Sequence, residues 1–186
     1  MKTIYIIRHC EAEGQAREAM LTRKGREQAL ALATTFIGKN IKKIVTSPYL
    51  RAVQSIHPTV EHFGIEAKED ERLGEWMMSV SPLEDWQAFL KQSFANLDIS
   101  YEGGESGREA MTRGITVLRE TLDSIGDGEA AILVSHGGLT TLLLKHFDER
   151  FGFFQWASLT NPDVFALAFS EGSLFPTIER KWDDGQ

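Results

Sequence analysis

The stretch AAILVSHGG, residues 130–138, is the clearest β-strand in the sequence, and the helical pattern LTTLLLKHF follows it directly. A second apolar run, TIYIIR at residues 3–8, has the β-branched and aromatic composition of a strand that is buried on both faces. A shorter strand, KKIVTS, is predicted over residues 42–47. Because such strands alternate with helical patterns, the sequence predicts a single α/β domain with a mostly parallel central sheet and helices on both faces.

The remaining elements are predicted from apolar periodicity and from turn residues. Helices are expected over residues 22–38, 49–63, 82–97 and in a long segment that ends at 126–128, and late strands over 163–170 and 174–182. Thr22 is a candidate N-cap, and Pro58 predicts a kink or a break in the second helix. Residues 66–82 are charged and predict an irregular segment.

Bulk composition narrows the classes of function. The chain has 186 residues, which fits one domain over residues 1–186, and a net charge of −7, which disfavours a general nucleic-acid binder. Its single cysteine excludes an internal disulfide and a multi-cysteine metal cluster. The apolar run at the N-terminus is too short for a signal peptide or a membrane span, so we expect a cytoplasmic protein that does not bind membranes. No pattern indicates an oligomeric state.

Three predicted strands end in residues that carry chemistry. The first ends in Arg8 and His9, the second runs into a helix that carries Arg51, and the third ends in His136 and Gly137. The carboxyl ends of parallel strands meet at one edge of the sheet, so two histidines and two arginines are expected to converge there. Glycines after a strand let the backbone approach a ligand, and the following helix N-terminus favours an anion.

These residue types together favour phosphoryl transfer without a metal. Neutral imidazole is a nucleophile that can form a covalent intermediate, and guanidinium forks match the oxygens of a phosphate. Phosphoryl transfer needs mainly alignment and charge stabilisation, which such a cluster supplies. The combination predicts a phosphohistidine intermediate and requires a carboxylic acid that protonates the leaving alkoxide.

Five blocks of the sequence, in order from residue 8 to residue 138, resemble the histidine phosphatase superfamily, the phosphoglycerate mutase-like proteins. They are RHCEAEGQ, LTRKGREQA, TSPYLRAVQS, GGES and VSHGG. The resemblance implies that His9 is the phosphorylated nucleophile and that His136 contacts the transferring phosphoryl group. It further implies a set of groups that bind the phosphate or line its pocket: Arg8, Gln15 (where the family usually has asparagine), Thr22, Arg51 and Gly137.

The resemblance also implies a glutamate as the proton donor. The block RLGE matches Glu75 to that position, and Glu71 and Asp70 are rivals under a shifted alignment. After Glu75 the chain departs from the family pattern, which predicts a variable capping segment over about 75–105 that sets the substrate. The cluster Trp76 to Met78 in this segment fits either an apolar substrate pocket or core packing.

Two positions near the nucleophile are open to more than one interpretation. Cys10 replaces the usual glycine, and it is either an oxidation-sensitive thiol of lowered pKa or a small packing residue. Glu11 fits an ion pair that supports the arginines. The other histidines, His57, His62 and His146, have no metal-ligand spacing and are interpreted as ordinary helix residues.

The expected function is that of a metal-independent phosphomonoesterase, a phosphoric monoester hydrolase of the histidine acid phosphatase type. Its expected partner is a small phosphorylated metabolite, with no cofactor, metal, nucleic acid or membrane. Two alternatives stay open: a cofactor-dependent mutase of the phosphoglycerate type, and a non-catalytic phosphoester-binding protein on the same fold.

Overall fold

The computed structural model describes residues 1–182 and contains a six-stranded sheet with the strand order β3-β2-β4-β1-β5-β6. The strands are Lys2–Arg8 (β1), Ile41–Thr46 (β2), Ala67–Glu69 (β3), Ala130–Ser135 (β4), Asp163–Phe169 (β5) and Thr177–Arg180 (β6). The pairings β1–β4, β2–β4 and β2–β3 are parallel, whereas β5 runs antiparallel to both of its neighbours. The predicted mostly parallel sheet is therefore confirmed. Residues 183–186 of the predicted domain lie outside the described residues.

Helices cover both faces of the sheet, as the sequence predicts. They are Arg23–Thr35 (α1), Leu50–Phe63 (α2), Trp86–Ala95 (α3), Gly107–Asp123 (α4), Gly137–Phe147 (α5) and Phe153–Ala157 (α6). Helices α1 and α2 pack on one face, and α3, α4 and α5 pack on the other. Among residues 1–182, no helix combines the length and the apolar character needed to cross a membrane.

The continuous apolar run of β1 follows from its central position. Successive side chains of a strand point to opposite faces, and Ile4 and Ile6 pack under α4 and α5 while Tyr5 and Ile7 pack under α1 and α2. All four side chains are buried because both faces are covered. A strand of this kind carries no polar alternation, which explains the pattern of residues 3–8.

The structure corrects four local predictions. Residues 66–82 contain a three-residue edge strand, β3, and a short 3-10 helix, Glu71–Leu73, rather than an irregular segment alone. Helix α2 continues through Pro58 without a break. The strand predicted over 130–138 ends at Ser135, because Gly137 already begins α5. Helix α6 was not predicted, since five residues are too few to show a helical period.

Candidate active site

The ends of β1, β2 and β4 meet at one edge of the sheet and carry the predicted site residues. The register of the parallel pairing places Arg8 opposite Ser135. The backbone N–H of His9 donates to the carbonyl of Ser135 at 3.0 Å, and that of Ser47 donates to the carbonyl of Val134 at 2.9 Å. Backbone hydrogen bonds thus continue past the strand ends and fix the position of the residues that follow.

His9 is buried and is held in one tautomer. Its Nδ1 lies 2.6 Å from the carbonyl oxygen of Cys10, which can only accept a hydrogen bond, so Nδ1 carries the proton. Its Nε2 accepts from Nε of Arg51 at 3.1 Å, which leaves this nitrogen unprotonated. Burial is the main cause that lowers the pKa of His9 to about 3; the charges of Arg51 and Arg8 act in the same direction, and the hydrogen bond to Cys10 acts against them. The ring is therefore neutral near pH 7, as a nucleophile requires.

Arg51 joins the two histidines. Its side chain is almost completely buried, its Nη1 donates to the carbonyls of Gln15 and Ala16 at 3.2 and 2.8 Å, and its Nη2 donates to Nδ1 of His136 at 3.2 Å. Burial lowers the pKa of this guanidinium from its ordinary value, although it remains a fixed positive charge at neutral pH. A cation thus lies in direct contact with both imidazoles.

His136 is fully buried and is also neutral. Because Arg51 can only donate, Nδ1 of His136 accepts, and the Nε2–H of the ring then donates to the hydroxyl of Ser47 at 2.7 Å. Burial lowers the pKa of His136 well below its ordinary value, and His9 and Arg51 lower it further. The ring of Tyr49 contacts His136 edge to face with ring centroids 4.7 Å apart, and this contact helps to fix the imidazole.

Arg8 offers a hydrogen-bond donor that lacks a partner. Its Nη1 donates to the carbonyl of Leu159 at 3.1 Å, whereas its buried Nε has no hydrogen-bond partner within the described part of the chain. A Cβ on Gly137 would lie 3.3 Å from this Nε, so the absence of a side chain at Gly137 keeps the space beside the donor open. A buried, unpaired guanidinium N–H beside an open space is the arrangement that an anion would satisfy.

Glu75 lies at the N-terminus of α5. Its carboxylate accepts hydrogen bonds from the backbone N–H groups of Trp76 at 2.8 Å, Gly138 at 3.2 Å and Leu139 at 3.1 Å. These donors hold the side chain beside the space that Gly137 leaves open. The dipole of α5 favours a negative charge at this position.

The two rival carboxylates point elsewhere. Asp70 binds Arg72 through both carboxylate oxygens, at 2.9 Å from Nε and 2.7 Å from Nη2. Glu71 is exposed and forms an ion pair with Arg17. The local structure explains the difference, because Asp70 caps the 3-10 helix while Glu75 follows it.

A cavity of about 330 Å³ opens at this edge of the sheet. It is lined by Arg8, His9, Gln15, Glu75, Trp76, Met78, Trp86, Leu90, Gly137, Gly138 and Trp156. Arg51 and His136 do not line the cavity, but both contact His9, which does. Within residues 1–182 no three His, Cys, Asp or Glu side chains are grouped as they would be around a metal ion.

The sequence matches the family model described as the histidine phosphatase superfamily (branch 1) over residues 4–180. The chain belongs to the histidine phosphatase superfamily. The predicted resemblance is thereby confirmed over almost the whole chain.

Three solved structures show that other proteins share the fold. Bacillus stearothermophilus YhfR is 20% identical, with 96% of each chain covered and a TM-score of 0.80. A mycobacterial glucosyl-3-phosphoglycerate phosphatase is 22% identical, with 97% of this chain and 98% of the other covered and a TM-score of 0.77. The phosphoserine phosphatase of Entamoeba histolytica is 19% identical, with 99% and 98% covered and a TM-score of 0.76. No curated protein sequence matches the chain.

Thr22 and Glu11 lie close to His9 in the sequence or fold of this superfamily member but do not line the cavity. The hydroxyl of Thr22 accepts from the N–H of Gly25 at 2.9 Å as the N-cap of α1, and it donates to Glu11 at 2.8 Å. Thr22 therefore caps a helix and does not line the cavity. Glu11 contacts Thr22 and, at 3.7 Å, Lys24, so the predicted ion pair between Glu11 and the arginines of the site is wrong.

The structure decides between the two interpretations of Cys10. The side chain is fully buried in the core beneath α1 and α2, and burial raises the pKa of the thiol to about 12. A thiol that is neutral and inaccessible is not reactive, so Cys10 is a packing residue and the expectation of a lowered pKa is wrong.

Three residues that contact the site, Asn161, Arg113 and Trp156, were not predicted from the sequence. Nδ2 of Asn161 donates to the backbone carbonyl of His9 at 2.8 Å. The guanidinium of Arg113 donates to the carbonyls of Gly74 at 2.9 Å and Glu75 at 3.2 Å. Nε1 of Trp156 would lie 3.2 Å from a Cβ on Gly137, so its N–H shares the space beside Arg8. Each of these three residues is distant in sequence from the residue that it contacts. Patterns that predict turns and helices do not predict such long-range contacts.

Proposed function

We propose that this protein is a phosphomonoesterase that hydrolyses a small phosphorylated metabolite through a phosphohistidine intermediate. The observation that carries the proposal is the neutral, buried His9 at the cavity, with Nδ1–H donating to the carbonyl of Cys10 at 2.6 Å and Nε2 unprotonated. Membership of the histidine phosphatase superfamily and the phosphatase activities of two structural neighbours support it.

In the first step, the phosphate group of the substrate occupies the space beside the free Nε–H of Arg8. The hydrogen bond from Nε of Arg51 to Nε2 of His9 breaks, Nε2 attacks phosphorus, and the bond between phosphorus and the ester oxygen breaks. Glu75 enters this step as the carboxylic acid, because it takes the proton of the monoanionic phosphate group on binding, and it donates that proton to the departing alkoxide, which leaves as the alcohol. Arg8 stabilises the charge on the transferring phosphoryl oxygens, and the released Nε–H of Arg51 turns to the same oxygens.

In the second step, water attacks phosphorus and the bond to Nε2 of His9 breaks. Glu75, now a carboxylate, takes the proton from the water, and inorganic phosphate leaves. The hydrogen bond from Nδ1–H to the carbonyl of Cys10 stabilises the partial positive charge that the imidazole acquires while it is phosphorylated.

The test is a rapid-quench experiment with ³²P-labelled phenyl phosphate on the wild-type protein and on His9→Ala. We expect an acid-labile, base-stable phosphoenzyme on the wild type, no adduct on His9→Ala, and a loss of turnover of at least about 10³-fold. His57→Ala is the matched control, because His57 is exposed on α2 and contacts only Glu61. Release of phosphate in step with loss of ester distinguishes hydrolysis from mutase activity.

Circular dichroism and thermal melting of His9→Ala show whether the fold is intact, and His9→Gln serves as a second variant if alanine destabilises it. Retention of more than a tenth of the wild-type turnover in a folded His9 variant would exclude His9 as the nucleophile. A labelled adduct on His57 or His136 instead of His9 would do the same.

A further inference from the structure

The cavity is divided into a polar end and an apolar end. The polar end holds Arg8, His9, Gln15 and Glu75, which the proposed chemistry uses for the phosphoryl group and the leaving oxygen. The rest of the wall consists of apolar and aromatic side chains: Trp76, Met78, Trp86, Leu90 and Trp156. A phosphomonoester that is bound through its phosphate must therefore place its alcohol against these five side chains.

Two of the three tryptophans in this wall, Trp86 and Trp156, contact each other. The indole rings of Trp86 and Trp156 meet edge to face with centroids 5.7 Å apart, and Trp156 is also stacked on Phe153 at 5.7 Å. Trp86 is 46% exposed and lines the cavity, so part of its ring is open to a ligand. Each of the two rings offers a preformed flat face to a planar or hydrocarbon group, at little cost in conformational entropy.

The cavity wall has no positive charge available for a second anionic group. Arg8 is its single cation among the described lining residues, and the proposed chemistry commits it to the phosphate. Arg51 contacts His9 from outside the lining, and its guanidinium is committed to the two histidines, two backbone carbonyls and the phosphate. Arg113 and Lys91 do not line the cavity either: Arg113 forms an ion pair with Glu105, and Nζ of Lys91 lies 5.4 Å from the ring centroid of Phe154. A carboxylate on the alcohol would lose water against indole rings and would gain no cation as a partner.

We infer that the enzyme selects phosphomonoesters with an uncharged, apolar leaving group, an aromatic or hydrocarbon alcohol, and discriminates against esters that carry a second anion. The inference rests on the proposed phosphatase activity, because it assumes that the phosphate lies at Arg8 and His9. It assigns Trp86 and Trp156 as the residues that determine specificity.

The kinetic test compares 4-carbamoylphenyl phosphate with 4-carboxyphenyl phosphate, two esters of nearly the same shape that differ by one charge. We expect kcat/KM to favour the amide by about 10- to 100-fold, the range for a buried polar group left without a partner. The two corresponding phosphonates cannot be hydrolysed, so their dissociation constants report the same preference without any effect of leaving-group reactivity. Quenching of tryptophan fluorescence measures this binding directly, because Trp86 and Trp156 line the cavity.

Trp86→Arg places a cation at the exposed mouth of the apolar end. We expect this variant to lower the preference for the amide at least tenfold, mainly by improving kcat/KM for the carboxylate ester. Phe175→Arg is the matched control, because Phe175 is 68% exposed in the connection between β5 and β6 and does not line the cavity. Its preference should equal that of the wild type.

The outcomes separate this inference from the proposed function. Equal or better hydrolysis and binding of the carboxylate compounds would overturn the inference and leave the phosphatase intact, as would an unchanged preference in Trp86→Arg. Absence of turnover with both esters, together with tight and amide-selective binding of the phosphonates, would overturn the proposed function and support the apolar site. Failure of both phosphonates to bind would overturn both.

Discussion

Gly138→Ala tests the assignment of Glu75 without changing any charged group. A Cβ at Gly138 would lie 2.7 Å from Oε1 of Glu75, well inside the 3.4–4 Å of ordinary van der Waals contact. The carboxylate must therefore retreat by several tenths of an ångström from α5. Its hydrogen bonds from the N–H groups of Gly138 and Leu139, at 3.2 and 3.1 Å, lengthen or break at the same time.

A displacement of about 1 Å in a catalytic group can cost about 100-fold in rate, so we expect kcat for an alkyl ester such as 2-phenylethyl phosphate to fall by about 10- to 100-fold. The effect on 4-nitrophenyl phosphate should be several times smaller, because 4-nitrophenolate leaves without a proton from Glu75. Stability should change little. Alanine is favoured over glycine by up to about 1 kcal/mol inside a helix, which offsets the strain around Glu75.

The assay is steady-state kinetics on both esters, with thermal melting as the check on folding. Gly152→Ala is the control, because a Cβ at Gly152 meets no atom within 4 Å. Glu75→Gln should reproduce the dependence on the leaving group that Gly138→Ala shows. Wild-type kcat for 2-phenylethyl phosphate in Gly138→Ala, or an equal loss on both esters, would refute the reasoning that Glu75 protonates the leaving group.

Three further predictions follow from buried groups. Arg113→Met removes the donor at 3.2 Å from the carbonyl of Glu75. We expect kcat for alkyl esters to fall about tenfold and kcat for 4-nitrophenyl phosphate to fall less. Arg113→Lys should restore part of the lost kcat. Burial lowers the pKa values of His9 and His136, so the unfolded chain binds protons at a higher pH than the folded protein does. The free energy of unfolding should therefore fall by up to about 1.4 kcal/mol per pH unit for each histidine as the pH drops below about 6.5. Chemical denaturation from pH 8 to pH 4 measures this, and a flat profile would contradict it. Cys10, with its pKa raised to about 12, should resist iodoacetamide in the native protein at pH 8 and react after unfolding, as mass spectrometry can show.

The positions of the residues at the candidate active site were predictable because they depend on backbone topology. Parallel strands end at a common edge, so residues that directly follow two apolar runs, His9 and His136, had to lie close together. Arg51 lies one residue into α2, where it faces the same edge. These arguments need only the strand directions and short distances along the chain.

The chemical state of the histidines could not be predicted in this way. The tautomer of His9 depends on a carbonyl at 2.6 Å, and that of His136 depends on Ser47 at 2.7 Å. Such contacts depend on rotations of the backbone and side chains that no residue pattern encodes. The sequence correctly predicted Thr22 as the N-cap of α1, whereas the family resemblance implied that Thr22 lines the pocket.

The polar end and the apolar end of the cavity are built by different elements of the fold. The polar end lies on strand ends that sheet hydrogen bonds tie together, and His9 in it is buried. The apolar end is built by α3, by α6 and by the segment that carries Trp76 and Met78, and Trp86 of α3 contacts Trp156 of α6. A substitution at Trp86 alters the apolar end and leaves the hydrogen bonds of the polar end in place. Under the proposed function, changes of substrate preference are therefore expected to come from the apolar end, while the chemistry at His9 stays the same.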